Sequence, residues 1–176
     1  LLIENNNAIV LISHLGRPKG FDMNFSMRIV LNHLKKMIFF ENIKFHFCSN
    51  FNEKDLENKK RNLKPREILI LENLRFEPGE KNSCVKFSKK VTSGLDFYIN
   101  DAFAVCHRND ASVNQMPKLF EFNKLPGLLL QKEIKELKCI FILFEVLSML
   151  IINFERNSRF NISIYTYKFI FIFRLE

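Results

Sequence analysis

Three arginines stand where a basic side chain could hold a ligand. Arg17, Arg75 and Arg108 each lie just past an apolar run that reads as a β-strand, in the strings IVLISHLGRPKG, ILILENLRFEPGE and FYINDAFAVCHR. A guanidinium is always charged, and its planar fork of donors matches a carboxylate or phosphate at two points. Ligands of α/β sheets gather at the carboxyl edge of the strands, where such side chains would emerge. Three equivalent strand ends therefore point to one anion site assembled from segments distant in sequence.

The first of these segments is the most detailed. In Ser13-His14-Leu15-Gly16-Arg17-Pro18-Lys19-Gly20, Gly16 lets the turn take conformations barred to other residues. Pro18 stiffens the loop beyond Arg17. His14 can donate one N–H, or two if protonated. Each residue taken singly has a plain structural alternative: His14 bonding backbone, Arg17 a solvated charge. Arg75, between Leu74 and Phe76, either packs its stem or pairs with Glu72 or Glu77. Small Ala102 and Ala104 allow neighbouring elements to approach Arg108. His107 reads as a structural histidine, and no residue is assigned a catalytic or metal-ligating role. The chain's 5 glycines form neither G-x-G-x-x-G nor G-x-x-x-x-G-K-[ST], so no loop here is built to wrap a nucleotide's phosphates.

The elements that must carry these residues follow from periodicity. Strands are expected over Ala8–Ser13, 43–47, 68–71 and Phe97–Asn100, as short runs of β-formers. Helices are expected after a Ser26 N-cap, where Ile29, Val30, Leu34, Met37 and Ile38 recur at helical spacing. Others are expected weakly over 50–64 up to Pro65, over 85–94 with Gly94 as its C-cap, and from Leu128. Residues 15–25 read as a loop, 77–83 as an exposed loop, and 101–126 as mostly loop. Strands alternating with helices predict an α/β fold with a parallel sheet.

Composition sets the outer bounds. With 176 residues, 47% of them hydrophobic, the chain can bury one ordinary core. A net charge of +8 favours anionic partners without choosing among them. Cys48, Cys84, Cys106 and Cys139 are too scattered for a zinc site and read as reduced thiols. No secretory leader is read at the start, which lacks Met. Near Lys138 the character changes: 139–152 is almost wholly apolar, with only Glu145 charged, and 162–173 is rich in Ile, Phe and Tyr. The first of these stretches is shorter than the ~20 residues of a bilayer span, so no membrane association is expected, and it reads as a buried helix. The tail also has the composition of translated AT-rich non-coding sequence.

SHLGRPKG, LENLRFEPGE, INDAFAVCHR and GLLLQKEI, in that order, resemble the N-terminal domain of the phosphoglycerate kinase family over about residues 1–138, leaving 139–176 without a counterpart. The resemblance implies a Rossmann-like three-layer domain. It also implies a basic patch for 3-phosphoglycerate or 1,3-bisphosphoglycerate, with His14, Leu15, Gly16, Arg17, Arg75 and Arg108 as the substrate-binding residues. The family's reaction is glycolytic phosphoryl transfer between 1,3-bisphosphoglycerate and ADP, giving 3-phosphoglycerate and ATP with Mg²⁺. A cytoplasmic monomer without nucleic-acid partners is the setting it implies. Three departures stand out. Nothing in Leu1 to Val10 matches the family's opening strand. The nucleotide-binding C-terminal domain has no counterpart. Asp110 stands where the family commonly has His. The domain is therefore expected to be incomplete, inactive alone, and left with an unpaired strand position that the apolar tail either covers or turns into an aggregation surface. The alternative function is a basic phosphate- or nucleic-acid-binding module, though Lys59-Lys60-Arg61 is the one local basic run.

Overall fold

The computed structural model describes residues 2–37, 42–150 and 169–174, with side chains described through residue 139. Ile38, residues 151–152 and 162–168, and the expected burial of 140–150, lie outside that description. Six strands form one sheet: β1 (Ala8–Ser13), β2 (Lys44–Cys48), β3 (Glu67–Leu71), β4 (Phe97–Asn100), β5 (Lys124–Pro126) and β6 (Phe169–Arg174), in the order β2-β3-β1-β6-β4-β5. The helices are α1 (Arg28–Leu34), α2 (Glu53–Arg61), α3 (Pro78–Lys81), α4 (Val85–Thr92), α5 (Ala111–Asn114) and α6 (Leu128–Leu150).

β2, β3 and β1 pair in parallel, as do β4 and β5. β6 runs antiparallel to both β1 and β4, with Ile172 opposite Val10 on one side and Tyr98 on the other. Five strands therefore share one direction, as expected of an α/β sheet, and their carboxyl ends share one edge. The tail does not lie along an outer edge. It enters the sheet and bridges two parallel halves, so β1 and β4 both find a ladder partner.

β1 and β3 are buried along their whole length, which is why residues 8–12 and 68–71 read as continuous apolar runs. Alternate residues serve opposite faces. Val10, Ile12, Leu69 and Leu71 pack with Leu56, Phe87, Val91 and Tyr98. Ile9, Leu11, Ile68 and Ile70 pack with Met27 and Leu31 on the other face. This is the three-layer arrangement.

Two expectations change. The stretch 77–83 is not an exposed loop: Pro78 opens α3, where its missing N–H costs nothing, and Glu80 is fully buried. Residues 101–126 contain α5 and the short strand β5. Both helices are 4 residues long, too short to leave a periodic signature.

The basic run is taken apart by the fold. Asn52 caps α2 by accepting from the Lys54 and Asp55 N–H groups. Lys59 pairs with Asp55 at 2.9 Å. Lys60 is buried and donates to the carbonyls of Lys90, Val91 and Ser93 at the end of α4, a favourable place for a cation. Burial pushes its pKa down to about 8. Of the three, Arg61 alone is exposed.

Candidate anion-binding site

The site is built outward from the end of β3. The Glu72 carboxylate, 3% exposed, accepts from Ser26 Oγ at 2.8 Å, Met27 N at 2.7 Å and Asn73 N at 2.8 Å. Ser26 Oγ in turn accepts from Arg28 N at 3.2 Å, so the expected Ser26 cap acts one residue before the helix's own boundary. Asn73, completely buried, donates to the carbonyls of Leu15 at 2.8 Å and Phe25 at 2.9 Å. Its Oδ1 accepts from Arg75 N at 3.1 Å. Two adjacent polar side chains thus pin both ends of the loop 15–25 to the strand that delivers Arg75.

Arg75 is 8% exposed. It pairs with neither Glu72 nor Glu77. Its Nη1 donates to the Gly16 carbonyl oxygen, and its Nη2 is buried without a hydrogen-bond partner. A buried donor left unpaired is costly and calls for an acceptor. Burial is the first cause that lowers the Arg75 pKa; the charge of Arg108 is the second, and Arg17 adds to it. Asp110 and Glu80 act in the opposite sense. Arg17 and Arg108 therefore both bear on Arg75.

Arg17 is exposed and Arg108 half-buried. The Arg108 N–H donates to the Val105 carbonyl at 2.9 Å, closing the turn after β4. His14 is half-buried where the chain leaves β1. Leu15 and Gly16 contribute through their carbonyls, the first to Asn73 and the second to Arg75. Among the described residues Asp110 makes no ion pair with Arg108. It sits instead just before α5.

Gly16 has φ +62°, and a Cβ there would lie 2.3 Å from the Phe25 ring. Gly16→Ala is expected to lower stability by about 1–3 kcal/mol through strain alone. It should also weaken anion binding, because the Gly16 carbonyl that anchors Arg75 must move. Urea denaturation and a binding titration check the two effects separately.

Sequence reading missed Glu72, Asn73 and Glu80. Glu72 and Asn73 lay inside a quoted motif, and their signal was two polar residues directly after a wholly apolar strand. Glu80 carried no local signal beyond the preceding Pro78.

The phosphoglycerate kinase family model matches residues 1–152. The chain is 43% identical over 136 residues to the phosphoglycerate kinase of a Nitratiruptor species, covering 77% of this chain and 33% of that protein. It is 42% identical over 134 residues to that of Campylobacter concisus, covering 75% and 33%. Among solved structures, the phosphoglycerate kinase of Coxiella burnetii superposes with a TM-score of 0.63 at 27% identity, covering 76% of this chain and 32% of that one. That of Pyrococcus horikoshii OT3 gives 0.62 at 29% identity, covering 76% and 33%. The chain spans about a third of the length of the curated relatives it matches.

Proposed function

Because this chain belongs to the phosphoglycerate kinase family, we propose that Arg17, Arg75 and Arg108 hold the phosphate-bearing end of 3-phosphoglycerate or 1,3-bisphosphoglycerate. One observation carries the reading: the buried, unpartnered Nη2 of Arg75, in the field of two further guanidiniums. An incoming phosphate oxygen would satisfy that donor, and clustered positive charge would offset the cost of stripping water from the anion. His14, Leu15 and Gly16 form the rim, with Gly16 fixing where Arg75 points.

In phosphoryl transfer the protein chiefly aligns reactants and balances charge. The part of the arginines is to fix the remote phosphate, so that the substrate's acyl end projects from the sheet edge. The family implies ATP or ADP with Mg²⁺. Among the described residues, no group of three His, Cys, Asp or Glu side chains could hold a metal ion. The chain's 5 glycines are dispersed. The nucleotide and its metal therefore find no fit on these residues, and the chemical step is not assigned to them.

Isothermal titration of the 176-residue chain with 3-phosphoglycerate should show saturable binding. A coupled assay should show no 3-phosphoglycerate-dependent ATP consumption by that chain. Absence of binding heat overturns the site; turnover overturns the division of labour. The nucleic-acid alternative is disfavoured by the dispersal of Lys59, Lys60 and Arg61, which leaves no basic stripe there. Four free cysteines support a reducing, cytoplasmic setting. Among the described residues no helix is long and apolar enough to cross a membrane. We read the chain as working on a small metabolite as a monomer.

A further inference from the structure

Behind the arginines lies a buried acid that phosphate binding alone does not require. Glu80 of α3 is fully buried. One oxygen accepts from Ser112 N at 3.1 Å, and the other from Ser112 Oγ. The Ser112 carbonyl accepts in turn from the hydroxyl of Tyr98, also buried. α3 begins three residues after Arg75, and α5 begins three residues after Arg108. The Glu80–Ser112 bonds therefore tie together the two chain segments that deliver these arginines, joining residues 32 apart in sequence.

We propose that Glu80 is a positioning residue of the anion site, holding the Arg75 and Arg108 segments together, and that its negative charge opposes the bound anion, so that binding is coupled to uptake of one proton at Glu80. The proposal rests on the anion-site reading above. Burial pushes the Glu80 pKa up to about 7; the two Ser112 hydrogen bonds pull it down, Asp110 pushes it up and Arg75 pulls it down. Tyr98, from β4, also shares a field with Glu80, and burial holds its hydroxyl well above the usual range. These are the charged and titratable groups that act on Glu80 from α5, β4 and the Arg75 turn.

The sign follows from linkage. An anion at Arg75 adds negative charge near Glu80 and raises its pKa further. The complex then binds more protons than the free chain between the two values. Affinity must rise as pH falls through that window and level off below about 7. The lattice of bonds survives protonation, because Ser112 Oγ can accept as well as donate. Glu80→Gln imitates this neutral form.

Sulfate is the probe, since it keeps a double negative charge throughout the range. Titration calorimetry of the full chain, in two buffers of different ionisation enthalpy, reads both affinity and proton uptake. Between about pH 9 and the plateau near about pH 6, wild-type affinity is expected to rise roughly five- to tenfold, the modest end of measured site-to-site couplings. Glu80→Gln should bind at all pH values as wild type does at the acidic end, without proton uptake. Ser112→Ala removes a bond that stabilises the carboxylate and should move the window to higher pH. It serves as an independent reading if circular dichroism shows Glu80→Gln unfolded. His14 and His107 lie on the segments that carry Arg17 and Arg108, and any contribution of theirs would persist in Glu80→Gln. A flat wild-type profile above about pH 7, a Glu80→Gln profile like wild type, or an unshifted Ser112→Ala window each overturns the proposal and leaves the anion site standing. No sulfate binding at any pH overturns both.

Discussion

Arg75→Lys will reduce affinity for 3-phosphoglycerate by about thirtyfold or more, although the charge is kept. In the proposed site one buried guanidinium serves two directions: Nη1 donates to the Gly16 carbonyl, and the unpartnered Nη2 is open to the phosphate. A lysine ammonium is a point donor on a flexible stem and cannot span both. Leaving a buried charged partner short of one hydrogen bond costs about 2 kcal/mol or more. At about 1.4 kcal/mol per tenfold, the lower limit is the thirtyfold quoted. Arg17→Lys supplies the contrast. Arg17 is exposed, so its contact is screened and worth no more than about 1 kcal/mol, or roughly fivefold. Isothermal titration of both variants decides the matter. Equal losses, or an Arg75→Lys variant within about threefold of wild type, would show that burial does not set the hierarchy among the arginines.

The second large effect concerns β6. Ile172→Pro is expected to destabilise the chain by about 3 kcal/mol or more, or to prevent the sheet from closing. β6 is flanked on both sides, by β1 and by β4. Every backbone N–H along its middle faces one partner or the other, so no position there tolerates proline. No direct β1–β4 pairing exists to take over, because the sheet order places β6 between them. Loss of β6 would leave the parallel half β2-β3-β1 separated from β4-β5. Hydrogen exchange should then show faster exchange in β1 and β4, with residues 68–71 of β3, paired to β1 and β2, retaining more protection. Urea denaturation gives the magnitude. An Ile172→Pro chain as stable as wild type, with unchanged protection in β1, would mean the tail strand does not hold the halves together.

Much of the architecture was legible because it is local. β1 and β3 announced themselves through unbroken apolar runs, which only a strand covered on both faces requires. α2 and α4 appeared close to their expected places, with Asn52 capping one and Gly94, at φ +74°, following the other. Arg17, Arg75 and Arg108 could be singled out because their strands could be. α3 and α5 were not legible. Each is too short for periodicity, and each is held by a bond between them rather than by its own sequence.

The order of residues along the chain determined the α/β class, the family and the identity of the three arginines, since all of these are written in short contiguous motifs. Tertiary structure alone decided which arginine is buried and which is wet, that Glu72 and Asn73 bond the two ends of the loop 15–25, that Glu80 lies in the interior, and that the last strand sits between β1 and β4. The physical reason is the same in each case. Burial, hydrogen-bond partnership and electrostatic field depend on what arrives from elsewhere in the chain, and a residue's immediate neighbours in sequence do not specify that.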